Sequence, residues 1–126
     1  ETPRWLILPL AFAVGFSIDM FNNTAGMHAA ACVFIAFARP WLIKRYTPIT
    51  GYENVNAPSL SELGVVWFAL FTLTVIFIHH SIYYFLQVFW MNDVGYLLLK
   101  IFLSTLVSTL LIVIFAFLFA KRKVKR

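Results

Sequence analysis

The sequence predicts an all-α membrane protein, a polytopic bundle of four transmembrane helices, and two observations lead to that class. Of the 126 residues, 62% are hydrophobic and only 12% are charged, whereas soluble domains contain about 25% charged residues. A membrane span needs about 20 mostly apolar residues. The chain has runs of about this length at about 5–21, 25–43, 63–90 and 95–120, so we expect one transmembrane domain.

The positive charge predicts how these spans are oriented. The net charge is +5, and five of the ten Lys and Arg residues lie in a tail at 121–126. With four spans, Arg4 and the loop at about 44–62, which begins with Lys44 and Arg45, lie on the same side as this tail. The two turns on the opposite side, Asn22–Thr24 and Met91–Val94, contain no Lys or Arg. The positive-inside rule therefore predicts cytoplasmic ends. Basic residues directly beside an apolar run are typical of a membrane surface and argue against nucleic acid.

Short signals predict the details of the first two spans. Asn22–Thr24 is a polar turn that predicts a tight hairpin, with Thr24 as the N-cap of the second span. Pro40 predicts a kink or an end in that span. Gly26 and Ala30 have the four-residue spacing of small side chains that predicts close helix packing.

Asp19 is the strongest candidate for chemistry. An acidic side chain at the centre of a span costs roughly 2.5–3.5 kcal/mol, but Asp19 lies only three residues before Asn22. One interpretation is a proton, ion or ligand site at the outer mouth. The other, which the nearby turn favours, is a helix-end acid that hydrogen-bonds to Asn22, Asn23, Thr24 or the start of the second span.

Lys100 is the other charged side chain inside a predicted span. Two interpretations stay open, an ion pair with Asp19 or extension of the ammonium group to the membrane surface, and its position favours the second. His79 and His80 point about 100° apart on a helix, so we expect them to belong to a belt of aromatic and histidine side chains at the outer surface. No metal site is predicted.

The chain contains no sequence pattern that marks a common enzyme. GxSxG, P-loop, HExxH and CxxC motifs are all absent from the sequence. An enzyme needs polar groups that converge on one site, so we predict no catalytic residue and no cofactor. The residues expected to serve structure or partner binding are Gly15, Asp19, Asn22, Asn23, Gly26, Met27, His28, Arg39, Pro40 and Lys100.

The first two spans resemble a known family. GFSID at Gly15–Asp19, NTAGMHAAA at Asn23–Ala31, ARP at Ala38–Pro40 and GYE at Gly51–Glu53 resemble the bacterial rod shape-determining protein MreD, in the form found in Bacteroidetes-type bacteria. The motifs cover about residues 4–52, and the remainder is similar in hydropathy and length. Members usually carry one or two further N-terminal helices, which we expect this chain to lack.

The resemblance implies a role in cell shape. The family is integral to the bacterial inner membrane, has no known catalytic activity and works with MreC, the actin-like MreB and the RodA–penicillin-binding-protein synthase in peptidoglycan elongation. Its fold is similar to the substrate-binding components of energy-coupling transporters. We therefore expect a non-enzymatic scaffold that contacts these proteins and membrane lipids. The alternative is a small-molecule-binding membrane component of an uptake transporter.

Overall fold

The computed structural model describes residues 3–46, 60–89 and 93–120, and within these ranges the chain forms five helices. They are α1 (Arg4–Asn22), α2 (Met27–Tyr46), α3 (Leu60–Leu63), α4 (Val65–Val88) and α5 (Val94–Phe119). All except α3 are long and apolar enough to cross a membrane. The predicted class, all-helical with four candidate spans, is confirmed. The predicted basic tail and most of the predicted loop lie outside the described residues.

The four long helices form a row in which each helix packs against the next. The contacts follow the order α1–α2–α4–α5, and among the described helices α1 packs extensively only on α2. Neighbours are antiparallel: His28 lies against Tyr83 near one end of the α2–α4 seam, and Tyr46 lies against Thr74 towards the other. In the described part of the chain, the expected bundle is therefore an open row.

The exposed faces of this row are strongly apolar. Large side chains on α5, among them Phe102 and Leu110, are more than half exposed. Water at such a surface would be unfavourable by about 25 cal/mol for each Å² of apolar area, whereas lipid tails are as apolar as the side chains themselves. The faces of the row therefore suit the interior of a bilayer.

Two prolines lie inside spanning helices without ending them. Pro9 is inside α1, and Pro40 is inside α2, which continues to Tyr46 beyond the expected end at 43. Contacts with α4 hold this extra turn, since the Tyr46 hydroxyl lies 2.6 Å from Thr74 Oγ1 and Trp67 Nε1 donates to the Tyr46 carbonyl over 2.9 Å. Packing of this kind lets membrane helices tolerate proline.

Gly64 lies at the start of the predicted third span and separates two helices. Its φ of 85° and ψ of 172° belong to a region that glycine adopts without steric cost. The short helix α3 ends before it, and α4 begins directly after it at Val65. The 24 residues of α4 give a length of about 36 Å, which a moderate tilt fits to a hydrocarbon core of about 30 Å.

Candidate functional site

The Asp19 side chain joins the end of α1 to the start of α2. It is 3% exposed. Its Oδ2 accepts a hydrogen bond from the backbone N–H of Ala29 over 3.0 Å, and its Oδ1 accepts from the backbone N–H of His28 over 3.0 Å and from the Thr24 hydroxyl over 2.5 Å. The first N–H groups of a helix have no partner within it. Asp19 therefore caps α2 from the neighbouring helix.

The N-cap position of α2 itself has no side chain that could do this. Met27 is the first helical residue, so Gly26 occupies the cap, and its carbonyl accepts from the Ala30 N–H over 2.9 Å. Thr24 donates its hydroxyl to Asp19, and its Oγ1 lies 3.2 Å from the Nδ1 of the His28 side chain. The prediction that Thr24 is the N-cap is therefore wrong. The amides at the start of α2 donate instead to the carboxyl of Asp19 on α1.

The two asparagines of the turn end α1. Asn23 adopts the left-handed conformation, with φ 54° and ψ 41°, which asparagine tolerates better than most residues. The backbone N–H groups of Asn23 and Thr24 both donate to the carbonyl of Asp19, and the Asn22 side chain donates to the carbonyl of Ile18 over 3.1 Å. The carbonyl of Asp19 therefore accepts the hydrogen bonds that end α1, while its carboxyl group accepts those that cap the start of α2.

Gly15 allows α1 and α2 to approach closely just below the cap. Gly15 is buried, and a Cβ atom on it would lie 2.5 Å from the Ala29 Cα and 2.6 Å from the His28 carbonyl oxygen. Only glycine fits this approach, one turn before Asp19. The short interhelical distance in turn lets the Asp19 carboxyl reach the first amides of α2.

Gly26 has a different role from the packing role predicted for it. A Cβ atom on Gly26 would have nothing within 4 Å, but its φ is +78°, a conformation that strains residues with a side chain. Ala30, the other small residue of the predicted packing face, is exposed. The prediction of close helix packing at Gly26 and Ala30 is therefore wrong within the described chain, whereas Gly15 does lie at a close approach of two helices.

His28 extends the polar contacts from α2 to α4. Its Nδ1 lies 2.8 Å from Asp19 Oδ1, and a carboxyl acceptor at this distance places the imidazole hydrogen on Nδ1. The ring lies against Tyr83 with centroids 4.2 Å apart, and the His79 ring is 6.5 Å away. The His28 side chain therefore contacts both α1 and α4.

Two further pairs continue the polar contacts from α4 to α5. His80 Nδ1 lies 3.4 Å from Thr105 Oγ1, and the Tyr84 hydroxyl lies 3.1 Å from Ser104 Oγ. Thr105 is buried, and the other three side chains are half-buried. These contacts place the polar side chains of α4 within a helix–helix seam.

His79 and His80, which we expected in a belt at the outer surface, both contact neighbouring helices. His79 and Tyr83 face α2, whereas His80 and Tyr84 face α5. Residues four apart lie on one face of a helix, so these two pairs form two polar stripes along α4. Composition does not reveal the stripes, because interior stripes and surface belts have the same composition.

Lys100 does not pair with Asp19. Its Nζ lies 4.6 Å from the ring centroid of Tyr96 and 5.9 Å from that of Tyr84, distances at which a cation interacts favourably with an aromatic face. The carboxyl of Asp19 is instead bound to His28. Of the remaining predicted site residues, Arg39 is exposed on α2 away from these contacts.

The polar contacts together make one layer that crosses all three helix–helix seams. We call it the polar layer, and it comprises Asp19, Thr24, His28, His79, His80, Tyr83, Tyr84, Ser104 and Thr105. In the part of the chain that the structure describes, no group of three His, Cys, Asp or Glu side chains could hold a metal ion. The layer can fix the relative height and rotation of the helices, since each hydrogen bond has a narrow geometry.

Comparison of this chain with protein-family models, with curated proteins and with solved structures finds no match.

Proposed function

We propose that this chain is a non-enzymatic scaffold of the bacterial inner membrane, similar in role to the rod shape-determining protein MreD in lateral wall elongation. The observation that supports an architectural role is the use of the Asp19 carboxyl. Both of its oxygens accept hydrogen bonds inside the hairpin, and the side chain is 3% exposed. An acid that acts on a substrate needs a face turned towards that substrate.

The topology supports the orientation that this role requires. The antiparallel row brings the start of α1 and the end of α2, with Arg4, Lys44 and Arg45, to the same end. By the positive-inside rule that end is cytoplasmic. In this proposal the chain meets the actin-like MreB there, and its apolar faces meet MreC-like, RodA-like and penicillin-binding-protein-like partners within the membrane. The likeness in fold to the substrate-binding components of energy-coupling transporters belongs to the same proposal.

The proposal is tested by replacing the gene in its own bacterium with hairpin variants. We expect Asp19→Ala and Gly15→Leu to give widened or rounded cells and to reduce recovery of elongation proteins from membranes in mild detergent. Asp93→Asn is the control, because Asp93 is an exposed cap of α5 and asparagine caps equally well. Immunoblots must show comparable amounts of each variant in the membrane.

Two outcomes would overturn the proposal. One is normal cell width together with unchanged partner recovery for both hairpin variants. The other is a polar solute that co-purifies with the chain and is identified by native mass spectrometry, since that result favours the uptake-transporter alternative. A scaffold should yield lipid alone.

A further inference from the structure

A cleft of about 710 Å³ lies along one side of the α1–α2 hairpin. Phe12 and Phe16 of α1 form one wall, with their rings stacked at a centroid distance of 5.6 Å. Ala30 and Val33 of α2 line the other side, where small side chains leave space. We propose that this cleft binds one hydrocarbon chain of a membrane lipid whose head group is neutral overall and donates hydrogen bonds.

The polarity of the cleft changes along its length as the polarity of a lipid does. Asn23 and Thr24 lie at the end beside the turn, whereas Phe12 lies eleven residues earlier on α1, about 16 Å deeper in the membrane. Phe12 and Phe16 are 51% and 46% exposed, so the cleft is open sideways to the bilayer. A lipid chain can enter along this side with its head group at the turn.

The volume of the cleft suits a hydrocarbon chain. About 710 Å³ lies within the range of about 300–1,000 Å³ that is usual for small-molecule sites. Occupation of the cleft by a helix of a second copy is an outcome that the experiment below distinguishes.

The charge of the lining selects the head group. Asp19 is the charged residue among those that line the cleft, and the lining contains no Lys or Arg. An anionic head group would find no Lys or Arg in the lining to compensate its charge. Because both Asp19 oxygens already accept hydrogen bonds, a donor on the lipid is met by the exposed side chain of Asn23. Phosphatidylethanolamine has this combination of zero net charge and an N–H donor.

The test uses the full chain in nanodiscs made from equal parts of phosphatidylethanolamine and phosphatidylglycerol. A trace of one lipid carries a photoreactive diazirine in its chain, and mass spectrometry maps the labelled residues after illumination. We expect labelled phosphatidylethanolamine to mark Phe12, Phe16 and Val33 about threefold more, per exposed area, than Leu106 of α5. Labelled phosphatidylglycerol should mark the two surfaces equally.

A pair of variants tests whether the empty volume of the cleft causes the stronger labelling. Ala30→Leu adds three carbon atoms inside the cleft and should lower its labelling to the level of α5. Val107→Leu adds one carbon atom on the exposed face of α5 and should leave cleft labelling unchanged. Circular dichroism and elution volume check that both variants are folded. If Ala30→Leu does not fold, the difference in labelling between the two lipids in the parent chain tests the proposal by itself.

Several results would overturn the proposal. These are equal labelling of the cleft and α5 by phosphatidylethanolamine, equal labelling of the cleft by the two lipids, and unchanged labelling of a folded Ala30→Leu protein. Low lipid labelling of Phe12 and Phe16 in a chain whose elution volume is that of a dimer would assign the cleft to a dimer. Because the assay uses purified protein, its outcome is independent of the role proposed in cell shape.

Discussion

The carboxyl group of Asp19 accepts a hydrogen bond from the backbone amide of Ala29, which belongs to a different spanning helix, over 3.0 Å. Ala29 is the third residue of α2, and amides at this position normally bond to the side chain of the N-cap residue. Gly26 has no side chain to accept this bond. The amides at the start of α2 are therefore capped only when α1 packs beside them. The hydrogen bonds that cap α2 are therefore also contacts that hold α1 against α2.

Asp19→Ala should lower the free energy of unfolding by at least about 2 kcal/mol, because two backbone N–H groups lose their acceptor and each such buried group costs about 1–3 kcal/mol. Asp93→Ala is the matched control. Asp93 accepts from the Tyr96 N–H at an exposed cap, and its loss should cost about 1 kcal/mol. Reversible unfolding in mixed micelles, followed by circular dichroism, measures both, and equal losses would contradict the assignment.

Gly15→Ala should destabilise the protein even though alanine favours a helix by about 1 kcal/mol over glycine. The new methyl group meets backbone atoms of α2 at 2.5–2.7 Å, so the helices must separate and the Asp19 contacts lengthen. Gly95→Ala is the control, since its methyl group would meet Asp93 Oδ1 at 3.6 Å. Thermal unfolding in detergent should show a lower midpoint for Gly15→Ala alone. A midpoint at or above that of the parent chain would show that this approach is not tight.

Gly26 should be sensitive to backbone conformation and insensitive to side-chain volume. Its φ is +78° and the space beside it is open, so Gly26→Ala should cost about 1–2 kcal/mol. Gly26→Asn should cost less despite its larger side chain, because asparagine adopts positive φ more readily. Chemical unfolding of the two variants gives the order. If asparagine is worse than alanine, volume matters at this turn and our assignment is wrong.

Asp19 and His28 should be energetically coupled. A double-mutant cycle with Asp19→Asn and His28→Phe keeps the aromatic contact with Tyr83 but removes the bond at 2.8 Å, and residues in one hydrogen-bond network couple by about 0.5–3 kcal/mol. The same cycle with Asp93→Asn in place of Asp19→Asn should be additive within about 0.5 kcal/mol. Unfolding free energies of the four proteins in each cycle are compared. Additivity in both cycles would exclude the bond.

Exchange of the charges at Asp19 and Lys100 should not restore stability. The Asp19→Lys and Lys100→Asp changes together would rescue each other only if the two side chains were paired. Asp19 is bound to His28, and Lys100 lies over Tyr96, so the double variant should be no more stable than Asp19→Lys alone. Yield in the membrane and thermal unfolding measure this, and a clear rescue would establish a pair between α1 and α5.

Several features followed from the sequence because they depend on local composition. Apolar runs longer than about 17 residues identify spans, and the polar turn at Asn22–Thr24 fixed the position of the first hairpin. The short distance from Asp19 to that turn also indicated a helix-end acid, and the structure shows the expected bonds to Thr24 and to the start of α2. The break at Gly64 and the true start of α2 were missed, since each depends on a single backbone angle.

The sequence by itself determined four apolar helices, the polar hairpin turn at Asn22–Thr24 and an acid placed where one helix ends. Only the tertiary structure decided which atoms that acid binds, which glycine sets the helix distance, and that His28, Tyr83 and Thr105 lie in one polar layer. The physical reason is the distance along the chain over which each interaction acts. Hydropathy and turn propensity act between neighbours in the chain, whereas capping by Asp19 and packing at Gly15 depend on how two helices approach each other in space.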